Sequence, residues 1–577
     1  MRTSPVVALC VLATVAGCAD ILGFETFVGG APDTSDAGPD GGDGTDEADW
    51  YVSAVGDDAN DGSRERPLRS LHRALLLAST TPDQQPTAPR RIAVCIGEYP
   101  EPALVVKGAI NVRGGYDCAT WTRPPVDGAP IGVGFKSGSK LINTEQGAAF
   151  VALDQDSTGS PRLDGFRIEG KDVSSVVLVA GGSAHLTELS ILNATIPSPE
   201  KRVAQPIVAV VLSDSTATLE RSSLMVAQNY GISATDDAGG LGLIIDRGAP
   251  VVRRNDIVID MVMKGCQGIA ARSAISAEVV ENVIVLGSCI TTGATAGAVG
   301  IVSVDSVLQS TRNGIVFEAP GSNAPTTPAI VAGVNVIGHG AFESDGDRII
   351  APRALHDTRI PSSLIFHGLQ GSRALTRVVN ASILVDSRSY ALDDSTAILL
   401  AEPSTTVVAH NSMYFSASAA PEGGGPPMRA IYVTDKALAG GGAVTVASNL
   451  VVTDDPRMGF LRGACDAPAF AQLAHNRYSG FAAPAGGRNC SSGPVDTVWP
   501  SAAADGNVAI TCPSEGCFKL FTAADLTSLE KGLPLSPDSA CGLDLEVPST
   551  AGVTSDGSGA PRGDAGTTAG AFVLTCN

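Results

Sequence analysis

The chain has 577 residues, 44% of them apolar but only 5% aromatic, with 65 glycines and a formal net charge of −21. So long a chain exceeds what one compact core usually holds, and an acidic chain with no basic run or stripe excludes nucleic-acid binding. Abundant Val, Ile, Ala, Ser, Thr and Gly suit many short strands and turns, as in an elongated repeat protein whose coils bury their faces against neighbouring coils.

Residues 1–17 read as an export signal: Arg2 is basic, Val6 to Ala16 is apolar, and no 18-residue apolar span follows. The stretch Val15-Ala16-Gly17-Cys18 resembles a bacterial lipobox. The resemblance implies cleavage before Cys18 and acylation of that cysteine, with Ala19 in the next position implying the outer membrane. Several acyl chains hold a protein to a bilayer far better than one. Residues 18–49 include a low-complexity acidic tether with too few apolar groups to order itself, read as a spacer that lifts the folded part off the membrane.

Folded sequence is expected from Trp50, with a parallel β-helix over 50–460 and an irregular, disulfide-braced region over 461–577. Tyr51 to Ser53 alternates as a strand. GDDANDGS follows as a polar turn, and Pro67 opens an amphipathic helix expected over 67–79, with Leu68, Leu71, Ala74, Leu75 and Ala78 on one face. The acids Asp57, Asp58 and Asp61 with Asn60 raise calcium as a candidate ion, but they lack the ligand spacing of an EF-hand and turn chemistry is favoured. No cofactor is otherwise expected. Strands are read at Ile92–Ile96, Ala103–Val106 and Ile110–Arg113.

The phrases YVSAVGDDANDGSRERPLRSLHRALLLA, GEYPEPALVV and GGYDCATWTR resemble the N-terminal part of DUF1565-type right-handed parallel β-helix proteins, in the pectate-lyase-like superfamily, as found in myxobacterial lipoproteins. The resemblance implies an all-β, single-stranded right-handed β-solenoid whose first helix covers the open end of the stack. It is strong over residues 50–125 and generic beyond. Near the other end, Asp556, Gly559, Arg562, Asp564 and Gly570-Ala571 resemble the tail that closes many exported β-helix proteins, with Val573 in place of the usual acid.

The coils have a measurable period. Leu163, Phe166 and Ile168 recur, 23 residues on, as Leu186, Leu189 and Ile191, separated by the apolar run Val176–Ala180 and the turn Gly181-Gly182. Cysteines repeat the number: Cys95 and Cys118, and Cys266 and Cys289, are each 23 apart. One coil of separation brings residues within disulfide reach, so both pairs are expected to bridge. The simplest pairings of the rest are Cys465–Cys490, Cys512–Cys517 and Cys541–Cys576. An Asn-x-apolar pattern at Asn255, Asn282, Asn313, Asn335, Asn411 and Asn449, with Asn380 a looser member, predicts turn residues stacked as a hydrogen-bonded ladder.

Chemistry is harder to find. Asp236-Asp237 and Gly338-His339-Gly340 followed by Arg348 resemble elements of polygalacturonase-like hydrolases, yet about four coils at ~4.8 Å separate the acids from His339, too far for one acid/base pair. Glu343 to Arg348 reads as an exposed turn, and the seven histidines are scattered. The expected function is therefore a non-catalytic surface lipoprotein that binds a carbohydrate or a partner through a long rigid face. The alternative is a lyase or hydrolase of acidic polysaccharide whose site is dispersed over several coils. A monomer is expected, with the membrane contact made through Cys18.

Overall fold

The structure, a computed structural model, describes residues 47–80, 89–123, 138–154, 159–171, 173–193, 207–227, 239–260, 265–287, 297–317, 329–350, 364–385, 395–401, 405–415, 429–433, 444–454, 459–462, 470–480, 507–510, 546–547, 553–562 and 567–571. Among them, nearly all strands fall into three parallel sheets of 14, 14 and 12 strands, here called A, B and C. The chain visits them cyclically. A strand in A, a two-residue turn, a strand in B, a connection of variable length, a strand in C and a short turn complete each coil. Strands three apart in sequence are neighbours in space, which makes the fold a parallel β-helix.

The 23-residue displacement is the true register of one coil: Leu186 lies over Leu163 in sheet A, and Ile191 over Ile168 in sheet B. Inward residues of the three sheets form one continuous apolar core from Val52 to Val451. No coil could bury its own inner face alone, so stacking is what stabilises each.

The helix runs Leu71–Thr80 and begins later than the periodicity predicts. Leu68 is held by a parallel bridge to Val52, which keeps the chain extended past Pro67. Two carboxylates then cap the helix. Asp58 accepts from Arg69 N, Ser70 N and Ser70 Oγ, and the buried Glu101 accepts from Leu71 N at 2.6 Å and His72 N at 3.3 Å. Acids at a helix N-terminus satisfy unpaired N–H groups and face its positive dipole end. Leu71, Ala74, Leu75 and Ala78 pack down onto the first coils.

At the base of sheet A, Tyr51 and Trp121 meet edge to face at 4.8 Å, and the Cys95–Cys118 disulfide joins successive coils beside them with Cα atoms 5.0 Å apart. Cys266 is also disulfide-bonded. Its expected partner Cys289 lies outside the described residues, as do Cys18, Cys465, Cys490, Cys512, Cys517, Cys541 and Cys576.

Candidate functional site

Among the described residues, the turn between sheets A and B repeats closely from coil to coil. Its first residue is left-handed in coil after coil: Glu188, Arg221, Arg254, Glu281, Arg312, Asn380, His410, Ser448 and His475 have φ between 48° and 59°. Such a backbone is unfavourable for non-glycine residues. It persists here because it aims each N–H at the next coil: Glu281 N donates to Thr311 O, and Arg312 N to Asp345 O, both at 2.9 Å.

The following residue points into the core and carries the ladder. Asn282 Oδ1 accepts from Asn255 N at 3.0 Å and Asn255 Nδ2 at 2.9 Å, while Asn282 Nδ2 donates to Val252 O and to Asn313 Oδ1. Ser222, Asn255, Asn282, Asn313 and Asp347 form one run; Asn411, Asn449, Asn476 and Asn507 form a second. Ala381 interrupts them.

Asn335 is a correction to the sequence reading. It sits within the sheet C strand Ala329–Ile337, paired between Val302 and Gln370, and the rung of its coil is Asp347. The same three-residue pattern arises in a strand as readily as in a turn. Asn507 carries the Asn-x-apolar signal and was open to recognition, whereas Ser222 and Asp347 differ in residue type and left none.

The hydrolase-like elements do not assemble among the described residues. His339 is an exposed member of the turn from sheet C to sheet A, and its N–H donates to Asp305 Oδ1 at 2.7 Å. Gly340 is required there by steric crowding, since a Cβ would lie 2.1 Å from Ser306 O. Arg348 begins a strand of sheet B, beyond another corner of the coil. Asp236 and Asp237 lie outside the described residues. No group of three or more metal-ligating side chains occurs among the described residues. The oxygens of Asp57, Asp58 and Asp61 are engaged by Ala59 N, by Arg69 N with Ser70, and by Ser63 N with Arg66.

Outward surfaces mix apolar and charged groups, and sheet B also pairs Lys140 with Glu98 and Glu169 in its lower coils. On B and C, outward residues form small buried apolar clusters: Val283, Val285 and Val316 on B, and Val208, Leu241, Ile244 and Ala270 on C. On A, Glu220, Arg253 and Glu278 stand outward in register with Val251 and Val280, and with the left-handed turn column the charged residues make a corner along several coils. Arg123 forks onto both oxygens of Asp164 at 2.9 and 2.8 Å and reaches Glu188 at 2.7 Å. Arg221 faces Glu188 and Glu220, Arg253 pairs with Glu220 at 2.7 Å, and Glu281 bridges Arg254 and Arg312. Burial works against the charge of Glu281, but its two guanidiniums hold that carboxyl below the usual range. Higher up, Val379, Ala409 and Val553 form an apolar cluster where the C-terminal stretch lies on the same corner.

No protein-family model and no curated protein matches the sequence. Solved structures do show similarity. The pectate lyase Pel9A aligns at 12% identity and a TM-score of 0.31, covering 91% of this chain and 96% of that one. The Dettilon tailspike protein aligns at 12% and 0.32, covering 75% and 66%. The DFA-IIIase of Arthrobacter chlorophenolicus A6 aligns at 11% and 0.31, covering 75% and 99%. At this level the likeness says nothing about substrate, and the fold stands on the strand order of this chain itself.

Proposed function

We propose that the protein is a non-catalytic surface protein, exported and anchored through Cys18, that binds an extended hydroxyl-rich polymer along the outward face of sheet A. Carbohydrate is the favoured ligand class. One observation carries this reading: along the sheet A corner, guanidiniums and carboxylates alternate over several coils, with Arg221 between Glu188 and Glu220, Arg253 on Glu220, and Glu281 between Arg254 and Arg312. A regular row of donors and acceptors suits a ligand with its own repeat.

The described carboxylates pushed upward by burial are Glu101 at the helix, Asp347 inside the ladder and Asp256 on sheet B. The acids of the corner are instead held by arginines. No helix among the described residues is long and apolar enough to cross a membrane, so attachment in this reading rests on the acylated cysteine.

The test is binding to an array of neutral and acidic polysaccharides, followed by titration of the best ligand. Arg221→Ala combined with Arg254→Ala is expected to weaken binding about tenfold or more, the loss of roughly one charge-assisted hydrogen bond. Unchanged affinity in that variant would remove the sheet A corner as the site. New reducing or unsaturated ends after prolonged incubation would favour a lyase or hydrolase instead. Metabolic labelling with palmitate, lost in Cys18→Ser, tests the anchor.

A further inference from the structure

The lowest coils of sheet A show how this surface holds an oxyanion. Asp164 is buried and draws three guanidiniums: Arg123 through both terminal nitrogens at 2.9 and 2.8 Å, Arg162 Nη2 at 3.3 Å and Arg113 Nε at 4.0 Å. Arg113 pairs in register with Asp164 on the coil above and with Ala93 on the coil below. It therefore has a carboxylate on one side and, on the other, a side chain too short to reach it.

A shallow cavity lies over Ala93. Arg91, Asn111, Arg113, Tyr116 and Glu47 line it. Arg91 and Asn111 are neighbours in register, and Asn111 precedes Arg113 by two residues on the strand Ile110–Tyr116. Side chains two apart on a strand share one face, so two guanidiniums and an amide border the same opening. Among the described residues, the side chains of Arg91 and Asn111 make no hydrogen bond or ion pair. Guanidiniums present planar forks of N–H donors that match oxyanions, and an amide adds two donors. The two cations of the lining outnumber its one acid, Glu47.

We propose that this cavity, at the N-terminal end of sheet A, binds an oxyanion of the sulfate or phosphate class between Arg91 and Arg113, with Asn111 donating beside them. A tetrahedral anion presents oxygens on every side and serves donors that approach from different directions. A carboxylate offers two oxygens in one plane, and at Asp164 the third guanidinium comes no closer than 4.0 Å. The inference does not rest on the polymer-binding reading, because a small anion is a sufficient probe.

Calorimetric titration of the full chain with sulfate and with inorganic phosphate, at an ionic strength held constant with chloride, tests it. Both anions are expected to saturate one site, with acetate about tenfold weaker, the loss of roughly one charge-assisted hydrogen bond. Arg91→Gln and Asn111→Ala alter outward side chains that hold no other contact, and each is expected to weaken sulfate binding about tenfold. Glu47→Gln removes a like charge and should tighten it about threefold. Arg69→Gln, at an exposed arginine away from the cavity, should leave the affinity unchanged. Unchanged affinity in Arg91→Gln, equal weakening in Arg69→Gln, or no saturable binding of either anion would overturn the site. Acetate binding as tightly as sulfate would overturn the tetrahedral class. A sulfated oligosaccharide and its unsulfated counterpart distinguish the source of the anion. A preference for the sulfated form that Arg91→Gln abolishes assigns the site to an ester on a glycan, and no preference assigns it to the free anion.

Discussion

Asp347 is the acidic rung of the ladder, fully buried, and its described hydrogen-bond partners are neutral donors. Asn313 donates to it through N at 2.9 Å and Nδ2 at 3.1 Å, and Ser344 Oγ donates at 2.7 Å. Burial pushes its pKa up even so. Asparagine at this rung would keep the accepting oxygen and turn its amide as the neighbouring rungs do, so Asp347→Asn is expected to change stability by less than about 1 kcal/mol. By contrast, Asn282→Ala strands the Asn255 N–H and the Val252 carbonyl in the core and should cost about 3 kcal/mol. Thermal unfolding of the two variants side by side checks both. Asp256 gives the pH dependence. Burial raises its pKa to about 6 from an ordinary 3.8. A raised carboxyl contributes its stability below the unfolded pKa and loses it as pH rises through the folded one. Asp256→Asn is therefore expected to raise stability by roughly 1–2 kcal/mol at pH 7.5, discounted for partial exposure, and to do little at pH 3.5. Equal shifts at both pH values would refute this.

The pairing of sheets B and C shows what an element needs from its neighbour. One inward position of sheet C reads, coil by coil, Phe150, Val176, Ala209, Gly242, Gly268, Gly300, Gly333, Gly368, Ala397 and Ala430. Where it is glycine, sheet B presents isoleucine at Ile257, Ile284, Ile315, Ile349 and Ile383. A Cβ on Gly300 would stand 2.5 Å from Ile315 Cγ2 and 2.6 Å from Gly333 O. The backbone oxygen cannot give way, so Gly300→Ala is expected to destabilise by about 3 kcal/mol or to prevent folding, read as loss of soluble protein or of melting temperature. At the other end, Glu101→Ala should release the first turn of the helix while leaving the coils intact. Faster exchange at Leu71 and His72 alone would show it.

At the scale of the whole molecule, the fold was legible because a β-helix repeats one local pattern many times. Leu163 and Leu186 announce the coil, and the Cys95–Cys118 bridge joins two neighbouring coils although Cys95 pairs in register with Tyr116. The ladder was partly legible, since turn chemistry is local: Asn255, Asn282, Asn313, Asn411 and Asn449 share a signal that Asn335 merely imitates from a strand. The glycine column also left a trace, Gly followed by an aliphatic residue at Gly268-Ile269, Gly300-Ile301 and Gly333-Val334, but its meaning depends on what faces it.

What the amino-acid order settled by itself was that the chain repeats, many of its turn residues and the helix that begins the stack, because each depends on residues near one another in the sequence. What only the tertiary structure decided was which faces are covered. The charged corner joins Arg123 to Glu188 across 65 residues, and a hydrogen bond joins Arg562 to Asn380 across 182. Contacts at those distances leave no periodic mark on the chain; they exist only once the coils are stacked and the C-terminal stretch has come back to lie on them.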